Sequence, residues 1–231
     1  GLTPEATGAP IRALGADRVI VATGAKRPAP PIPGGDLPHV HTGDSLRATM
    51  LGTATVDEAG LFLRTVGKLG RLSGITKRPA WIRRLTTIAL PMGKNVVVIG
   101  GSLVGLELAE FLAERGRRVT LLHESQQLGL PLAMPRRWTA VRHAKEHGVD
   151  IHRNVTVTRI TESGVEWADA KGDTASATAD MVIYADGTTA AAPLADELRA
   201  AGIDCEVIGD AGEVGYIHGA IHSAWRVASK G

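Results

Sequence analysis

The chain is poor in several things that would each have pointed to a function. Cys205 is the single cysteine in 231 residues, so no internal disulfide forms and no cysteine cluster can hold zinc or an iron–sulfur centre. One thiol suits a reducing compartment, and a cytoplasmic location is expected. Aromatic residues make up 3% of the chain, too few for the stacking platforms that grip single-stranded nucleic acid. The formal net charge is only +2, which gives no reason to expect a polyanionic partner. No apolar run reaches the length of a membrane span, and no basic, apolar, small-residue leader opens the chain. Neither nucleic acid nor membrane is expected as a partner. The chain begins with Gly1 instead of Met, as a piece of a longer protein or a processed product would.

What is present is a core-forming composition, 44% hydrophobic, with one informative stretch. Residues 95–110, NVVVIGGSLVGLELAE, run an apolar strand into a glycine-rich turn and then an amphipathic helix, the sequence shape of a dinucleotide site. Gly100 permits the sharp turn and Gly105 lets the helix pack closely on its strand. The middle position is Ser102, which crowds the approach of a pyrophosphate but brings a hydroxyl donor. The backbone amides around Gly101, Ser102, Leu103 and Val104, at the start of the helix, are expected to face the phosphates.

The rest of the βαβ unit follows in order. The spacing predicts a helix from Leu103 to Arg115 ending at Gly116, then a strand from Val119 to Leu122. Glu124 comes directly after that strand, placed to accept hydrogen bonds from adenosine ribose hydroxyls. A carboxylate there repels a 2′-phosphate, so NAD(H) is expected over NADP(H), with His123 or Arg117 able to soften the repulsion.

Around this unit the chain divides into an α/β arrangement of four segments. Residues 1–44 contain a short strand, Arg18 to Thr23, followed by the extended KRPAPPIPGG. Residues 45–92 read as a helical insertion carrying Arg64, Lys68, Arg71, Lys77, Arg78, Arg83 and Arg84, a solvated basic face or a dock for an acidic partner. Residues 93–188 form the nucleotide unit, with a further helix from Trp138 to His147 and strands at Asn154 to Thr161, Gly164 to Trp167 and Met181 to Tyr184. Residues 189–231 hold a strand at Cys205 to Ile208 and a helix from about Gly219 to Ser229.

Three segments carry a resemblance: Ala22-Thr23-Gly24, Ala185-Asp186-Gly187 and Ile208-Gly209-Asp210. They resemble the strand ends that bracket the nicotinamide domain in flavoproteins with two dinucleotide-binding domains, where a Rossmann-like NAD domain is inserted into an FAD domain. The stretch GDAGEVGYIHGAIHSAWRVA is similar to the C-terminal part of the NADH:flavin oxidoreductase group that includes 2,4-dienoyl-CoA reductase and trimethylamine dehydrogenase. The resemblance implies two partial FAD-domain segments at the ends of the chain, truncated before the fingerprint that grips the flavin's ADP. It implies a parent that passes hydride from NAD(P)H to flavin for a small-molecule substrate, with an N-terminal barrel holding FMN and an iron–sulfur cluster. The isolated chain is then expected to be inactive, to hold flavin weakly and to self-associate. The other reading is a non-catalytic module that binds an adenine nucleotide or serves assembly.

The same resemblance places Glu107 near the nicotinamide ring as a catalytic, ring-positioning residue, with a solvated glutamate as the alternative. Thr23, Gly24, Gly187, Gly209 and Asp210 fall on flavin-binding positions; Asp210 would bond a ribityl hydroxyl, or else cap a helix. Two histidine pairs look metal-like. His143, Glu146 and His147 match H-x-x-E-H, but no third ligand is evident in the sequence, and a connecting helix is the simpler reading. His218 and His222, also four apart, read as surface or flavin-facing. No metal is expected.

Overall fold

The computed structural model describes residues 8–43, 45–46 and 93–230. The basic helical insertion expected over residues 45–92 lies almost wholly outside the described residues. The chain divides into two compact units, one of residues 1–28 and 187–231, the other of residues 29–186.

The larger unit is built on a parallel sheet whose strands are β3 (Val40–Thr42), β4 (Asn95–Ile99), β5 (Arg118–His123), β6 (Asp150–Arg153) and β10 (Met181–Tyr184). Their order is β3-β10-β4-β5-β6 and every pairing is parallel. The two-residue alternation of side chains sorts the apolar residues to the two faces. Val96, Val98, Val119, Leu121, Met181 and Ile183 point one way, into a core with Leu106, Ala109, Leu112 and Ala144. Those four come from helices α2 (Leu103–Ala113) and α3 (Met134–Glu146). Val97, Ile99, Leu122 and Val182 point the other way, against Val155, Ile160, Val165 and Trp167. That second layer is an antiparallel sheet of β7 (Val155–Thr161), β8 (Gly164–Asp169) and β9 (Thr174–Thr178). A parallel strand buried on both faces must be apolar at nearly every position, which is why NVVVI reads as a run and not as an alternation.

Both helices stop for the same local reason. After α2, Gly116 adopts φ +74° and the amide of Arg117 bonds back to the carbonyl of Leu112 at 3.2 Å. After α3, Gly148 adopts φ +82° and Val149 bonds back to Ala144 at 3.0 Å. A left-handed glycine satisfies the last carbonyls and turns the chain into the next strand.

The smaller unit contains α1 (Gly8–Ala13), β1 (Val19–Val21), β2 (Ala25–Lys26), β11 (Thr189–Ala190), α4 (Pro193–Ala200), β12 (Cys205–Val207) and α5 (Tyr216–Ala228). β1 pairs in parallel with β12, and β2 pairs antiparallel with β11. Val21, Ala195, Leu198 and Cys205 form its buried core, and Arg18 reaches across the sheet to Glu206 and to the carbonyl of Val227.

Several expectations shift. The first compact unit ends at Pro28, not near residue 44, because Ile32, Leu37 and Val40 pack on the second face of the parallel sheet and β3 joins its edge. The strand expected over residues 18–23 is only Val19–Val21. α3 starts a turn before Trp138, at a proline-bearing first turn. α5 starts at Tyr216, three residues before Gly219. β6, β9 and α4 carry too short or too polar a pattern to stand out in the sequence.

Candidate functional site

From β4 the successive strands β5 and β6 lie to one side, while β10 and β3 lie to the other. This reversal makes a topological switch point between β4 and β10, and in open α/β sheets ligands bind in the crevice beyond the carboxyl ends of such strands. The glycine-rich turn leaves β4 at this place, and Asp186 follows β10 at the same place.

The two fingerprint glycines are required by space. At Gly100, φ is +105°, and a Cβ there would lie 2.5 Å from the carboxylate of Asp186. At Gly105, a Cβ would fall on the carbonyl oxygen of Gly100. The helix start thus lies flush on the strand end, leaving the concavity that a pyrophosphate fills in a dinucleotide fold.

The amides of the loop are used differently from the sequence-based expectation. The N–H of Gly101 donates to Nδ1 of His123 at 3.0 Å, and the N–H of Leu103 donates to the carbonyl of Leu130 at 2.9 Å. Two of the amides expected to face phosphate are therefore committed inside the protein, where they fix the loop. The N–H of Ser102 makes no hydrogen bond among the described residues. Ser102 is also the N-cap of α2, but its hydroxyl does not cap the helix; it donates to Oδ1 of Asp186 at 3.2 Å. What the loop leaves available to an anion is the Ser102 amide and the positive end of an eleven-residue helix.

His123 closes the floor. It is 9% exposed. Because a backbone N–H can only donate, Nδ1 is bare and Nε2 carries the hydrogen, facing Ser125 Oγ at 3.0 Å and the carbonyl of Gln127 at 3.2 Å. Both ring nitrogens are thereby committed to the loop, and neither is free to reach a 2′-phosphate as the sequence suggests. Nor can Arg117 reach it, for it stands just before β5, at the end opposite Glu124, about 20 Å away along the strand. Glu124 itself is exposed directly after β5, where a ribose-binding carboxylate belongs.

Asp186 is the residue that the sequence reading passed over as a site. Burial pushes its carboxyl above the usual carboxylate range and Glu124 adds to this, while the Ser102 hydroxyl and His123 act in the other direction. Burial also raises the phenol of Tyr184, with Asp186 and Glu124 contributing. A carboxylate at the end of the strand neighbouring the fingerprint strand would have been the signal, but the neighbouring strand lies about eighty residues downstream and only the sheet order identifies it.

The remaining residues are placed as follows. Val104 and Glu107 are exposed on α2, and Glu107 has no hydrogen bond or ion pair among the described residues. Thr23, Gly24, Gly187, Gly209 and Asp210 all belong to the smaller unit, so the sites split between the two units. Gly24, Gly187 and Gly209 have φ of +78°, +75° and +62°. Gly209 donates its N–H to Ser223 Oγ, and Asp210 accepts the N–H of Gly215 at 3.0 Å. Asp210 thus braces the turn before α5, whose N-cap is Gly215. Glu146 pairs with Arg142, and His218 and His222 are exposed with their rings 4.3 Å apart.

Comparison with known proteins agrees with this architecture. The chain is 32% identical over 153 residues to an NADH oxidase of Thermoanaerobacter brockii, covering 64% of this chain and 23% of the relative. It is 30% identical over 201 residues to the ferredoxin–NAD(+) reductase component of the biphenyl dioxygenase system of Paraburkholderia xenovorans, covering 86% and 39%. A bilirubin reductase of Mediterraneibacter gnavus is 29% identical over 197 residues, covering 85% and 24%. The chain thus spans well under half the length of these relatives. Among solved structures, a 2-naphthoyl-CoA reductase superposes with a TM-score of 0.74 at 25% identity, over 98% of this chain and 28% of that one. Histamine dehydrogenase from Rhizobium sp. 4-9 shares the fold, with a TM-score of 0.72 at 22% identity, over 98% and 32%. The family model for pyridine nucleotide-disulphide oxidoreductases matches residues 5–212, and with the Rossmann-like sheet and the glycine cradle already described, the chain belongs to that family.

Proposed function

We propose that this chain is the NADH-binding, electron-input portion of a flavin-dependent oxidoreductase of that family, whose cofactors are NAD(P)H and FAD. The observation that supports it most is the cradle at the switch point, where Gly100 and Gly105 tolerate no Cβ and an unbonded Ser102 amide stands at the positive end of α2. With the pyrophosphate of NADH held on this cradle, the nucleotide would supply a hydride for a flavin to accept. The protein's part is to hold the pyrophosphate on the loop, seat the ribose hydroxyls on Glu124 and orient the ring beside Glu107. Asp210 and the glycines of the smaller unit supply ribityl-side contacts to the flavin. An N-terminal barrel with FMN and an iron–sulfur cluster and a small-molecule substrate rest on the resemblance alone, and a cytoplasmic setting rests on the single cysteine.

Glu124 makes NADH the preferred form. At 4 Å in bulk-like water, repulsion between two unit charges is about 1 kcal/mol, roughly fivefold in affinity. Calorimetric titration of the chain with NADH and NADPH should show the unphosphorylated form binding more tightly, and Glu124→Ala should erase most of that gap. Tighter binding of NADPH by the unaltered chain would remove Glu124 from the ribose site.

The second reading, a non-catalytic module that binds an adenine nucleotide or serves assembly, is favoured on its assembly side by the loop itself, where Asp186 sets a carboxyl and two amides are already committed. Anaerobic addition of NADH to the flavin-loaded parent protein separates the readings, because hydride transfer bleaches the flavin and mere binding does not.

A further inference from the structure

Helices α2 and α3 meet through the fully buried Ala144 among Leu106, Ala109 and Leu112. This close approach sets the outer edges of the two helices side by side, away from the nucleotide loop. Glu110 and Glu114 lie four residues apart on one edge; His143 and His147 lie four apart on the other. Side chains at that spacing share a helix face, so two carboxylates confront two imidazoles. Ligand atoms of Glu110, Glu114 and His147 all lie within 4.8 Å of one another. His143 Nδ1 lies beside this trio, 3.5 Å from Glu110 Oε1.

We propose that Glu110, Glu114 and His147, with His143 as the fourth donor, form a site for a zinc-class divalent cation that clips α2 to α3. Three features carry this. First, His147 Nδ1 lies 2.8 Å from the carbonyl of His143, which can only accept, so Nδ1 carries the hydrogen. The other nitrogen, Nε2, therefore turns its lone pair toward Glu114 Oε1 at 3.9 Å. A ring nitrogen and a carboxylate oxygen at this separation leave room for a metal ion between them. The same backbone bond is the one that ordinarily orients a metal-binding imidazole. Second, the separations are too long for good hydrogen bonds. They sit near the donor–donor edge of about 3.4 Å around a tetrahedral ion with bonds of about 2.1 Å. Third, the far oxygen of Glu114, Oε2, is held 3.5 Å from Arg115, whose guanidinium is itself pinned over the Phe111 ring and to the Phe111 carbonyl. Arg115 lowers the affinity for a cation but points Oε1 at the site. Imidazole with carboxylate selects zinc, cobalt, nickel or copper over the oxygen-preferring magnesium and calcium.

The H-x-x-E-H pattern of α3 thus does not act as in a protease, since its Glu146 turns back to Arg142. The two carboxylate donors come from α2 and its C-cap, in an earlier part of the chain.

The test uses the whole chain, freed of metal, titrated with zinc by calorimetry and with cobalt by visible absorption. Expected are one equivalent bound with micromolar affinity, the intense cobalt bands of four-coordination, and a higher melting temperature with zinc. His147→Ala and Glu110→Gln should each weaken binding by about tenfold or more and cancel the melting shift, with NADH affinity unchanged. His218→Ala, at the exposed histidine pair of α5, should leave all readings as they are. The proposal falls if zinc binds equally to the chain and to His147→Ala, if binding follows His218 instead, or if no stoichiometric binding occurs. Circular dichroism of each variant checks that it folds.

Discussion

The two units of this chain solve the same problem to different degrees. In the larger one, the parallel sheet is covered on both faces, by two helices on one and by an antiparallel sheet on the other, and six of its valines and leucines on β4 and β5 are at most 2% exposed. In the smaller one, two separate two-strand sheets and four buried residues make the core, while α5 turns Ile217, Ile221 and Trp225 outward, 79%, 62% and 67% exposed. These three recur every four residues and form one apolar stripe. Crowding at glycine marks the nucleotide loop and not the larger unit as a whole, since Gly116 and Gly148 are open while Gly215 of the smaller unit is tight. A Cβ at Gly100, Gly101 or Gly105 of the nucleotide loop would overlap a neighbour, whereas a Cβ at Gly24 of the smaller unit would meet nothing within 4 Å. Burial is deepest in the unit whose parallel sheet is covered on both faces.

This contrast can be broken most forcefully at Gly105. Gly105→Ala places a methyl on the Gly100 carbonyl, and α2 must lift off β4; a cost of about 3 kcal/mol or more is expected, with loss of NADH binding. Gly24→Ala meets no atom and bears only its left-handed backbone, about 1 kcal/mol. Urea unfolding of the two variants measures both, and equal losses would sink the distinction between the nucleotide loop and Gly24.

His123→Ala comes next. It leaves the buried Gly101 amide without an acceptor, at a cost of about 1–3 kcal/mol, and frees the loop. Amide hydrogen exchange should show Gly101 losing protection while strands of the smaller unit keep theirs.

Asp186→Asn is expected to act through charge. Because burial raises its folded-state pKa above the unfolded value, the native state binds the proton more tightly, and stability falls as pH rises from the unfolded value through the raised one. The carboxylate that forms also repels a pyrophosphate across the Ser102 loop. Asn at this position should therefore stabilise the fold at neutral pH, tighten NADH binding several-fold and flatten the pH dependence of that binding. Weaker binding by the variant would instead make Asp186 a group that grips the nucleotide.

The smallest effect on folding is expected at Trp225. Trp225→Glu removes an exposed ring, so stability should stay within about 0.5 kcal/mol of the parent. Self-association, proposed to use the α5 stripe, should fall in sedimentation velocity. Unchanged association would move that surface elsewhere.

Particular residues show where reading the sequence stopped. β4, α2 and β5 were legible because each is long, apolar and bounded by Gly100 and Gly116, so local chemistry and the tertiary role agree. β3 and β6 were not: VHT and DIHR are short edge strands whose state is settled by pairing with a neighbour, not by their own pattern. In the site, Gly100, Gly105, Ser102 and Glu124 lie within one βαβ unit and their spacing is enough to find them. Asp186 and the His123–Gly101 bond needed the sheet to bring the strands together.

By itself the sequence determined that this chain carries a dinucleotide-type βαβ unit, since a sharp turn and a close helix–strand contact can be met only by glycine at two set positions and a ribose carboxylate must follow the second strand. Only the tertiary structure decided which loop amides remain free, which carboxylate faces them, and that two glutamates at the end of α2 stand against two histidines at the end of α3. Those pairings join residues tens of positions apart, and packing, not spacing along the chain, fixes which of them meet.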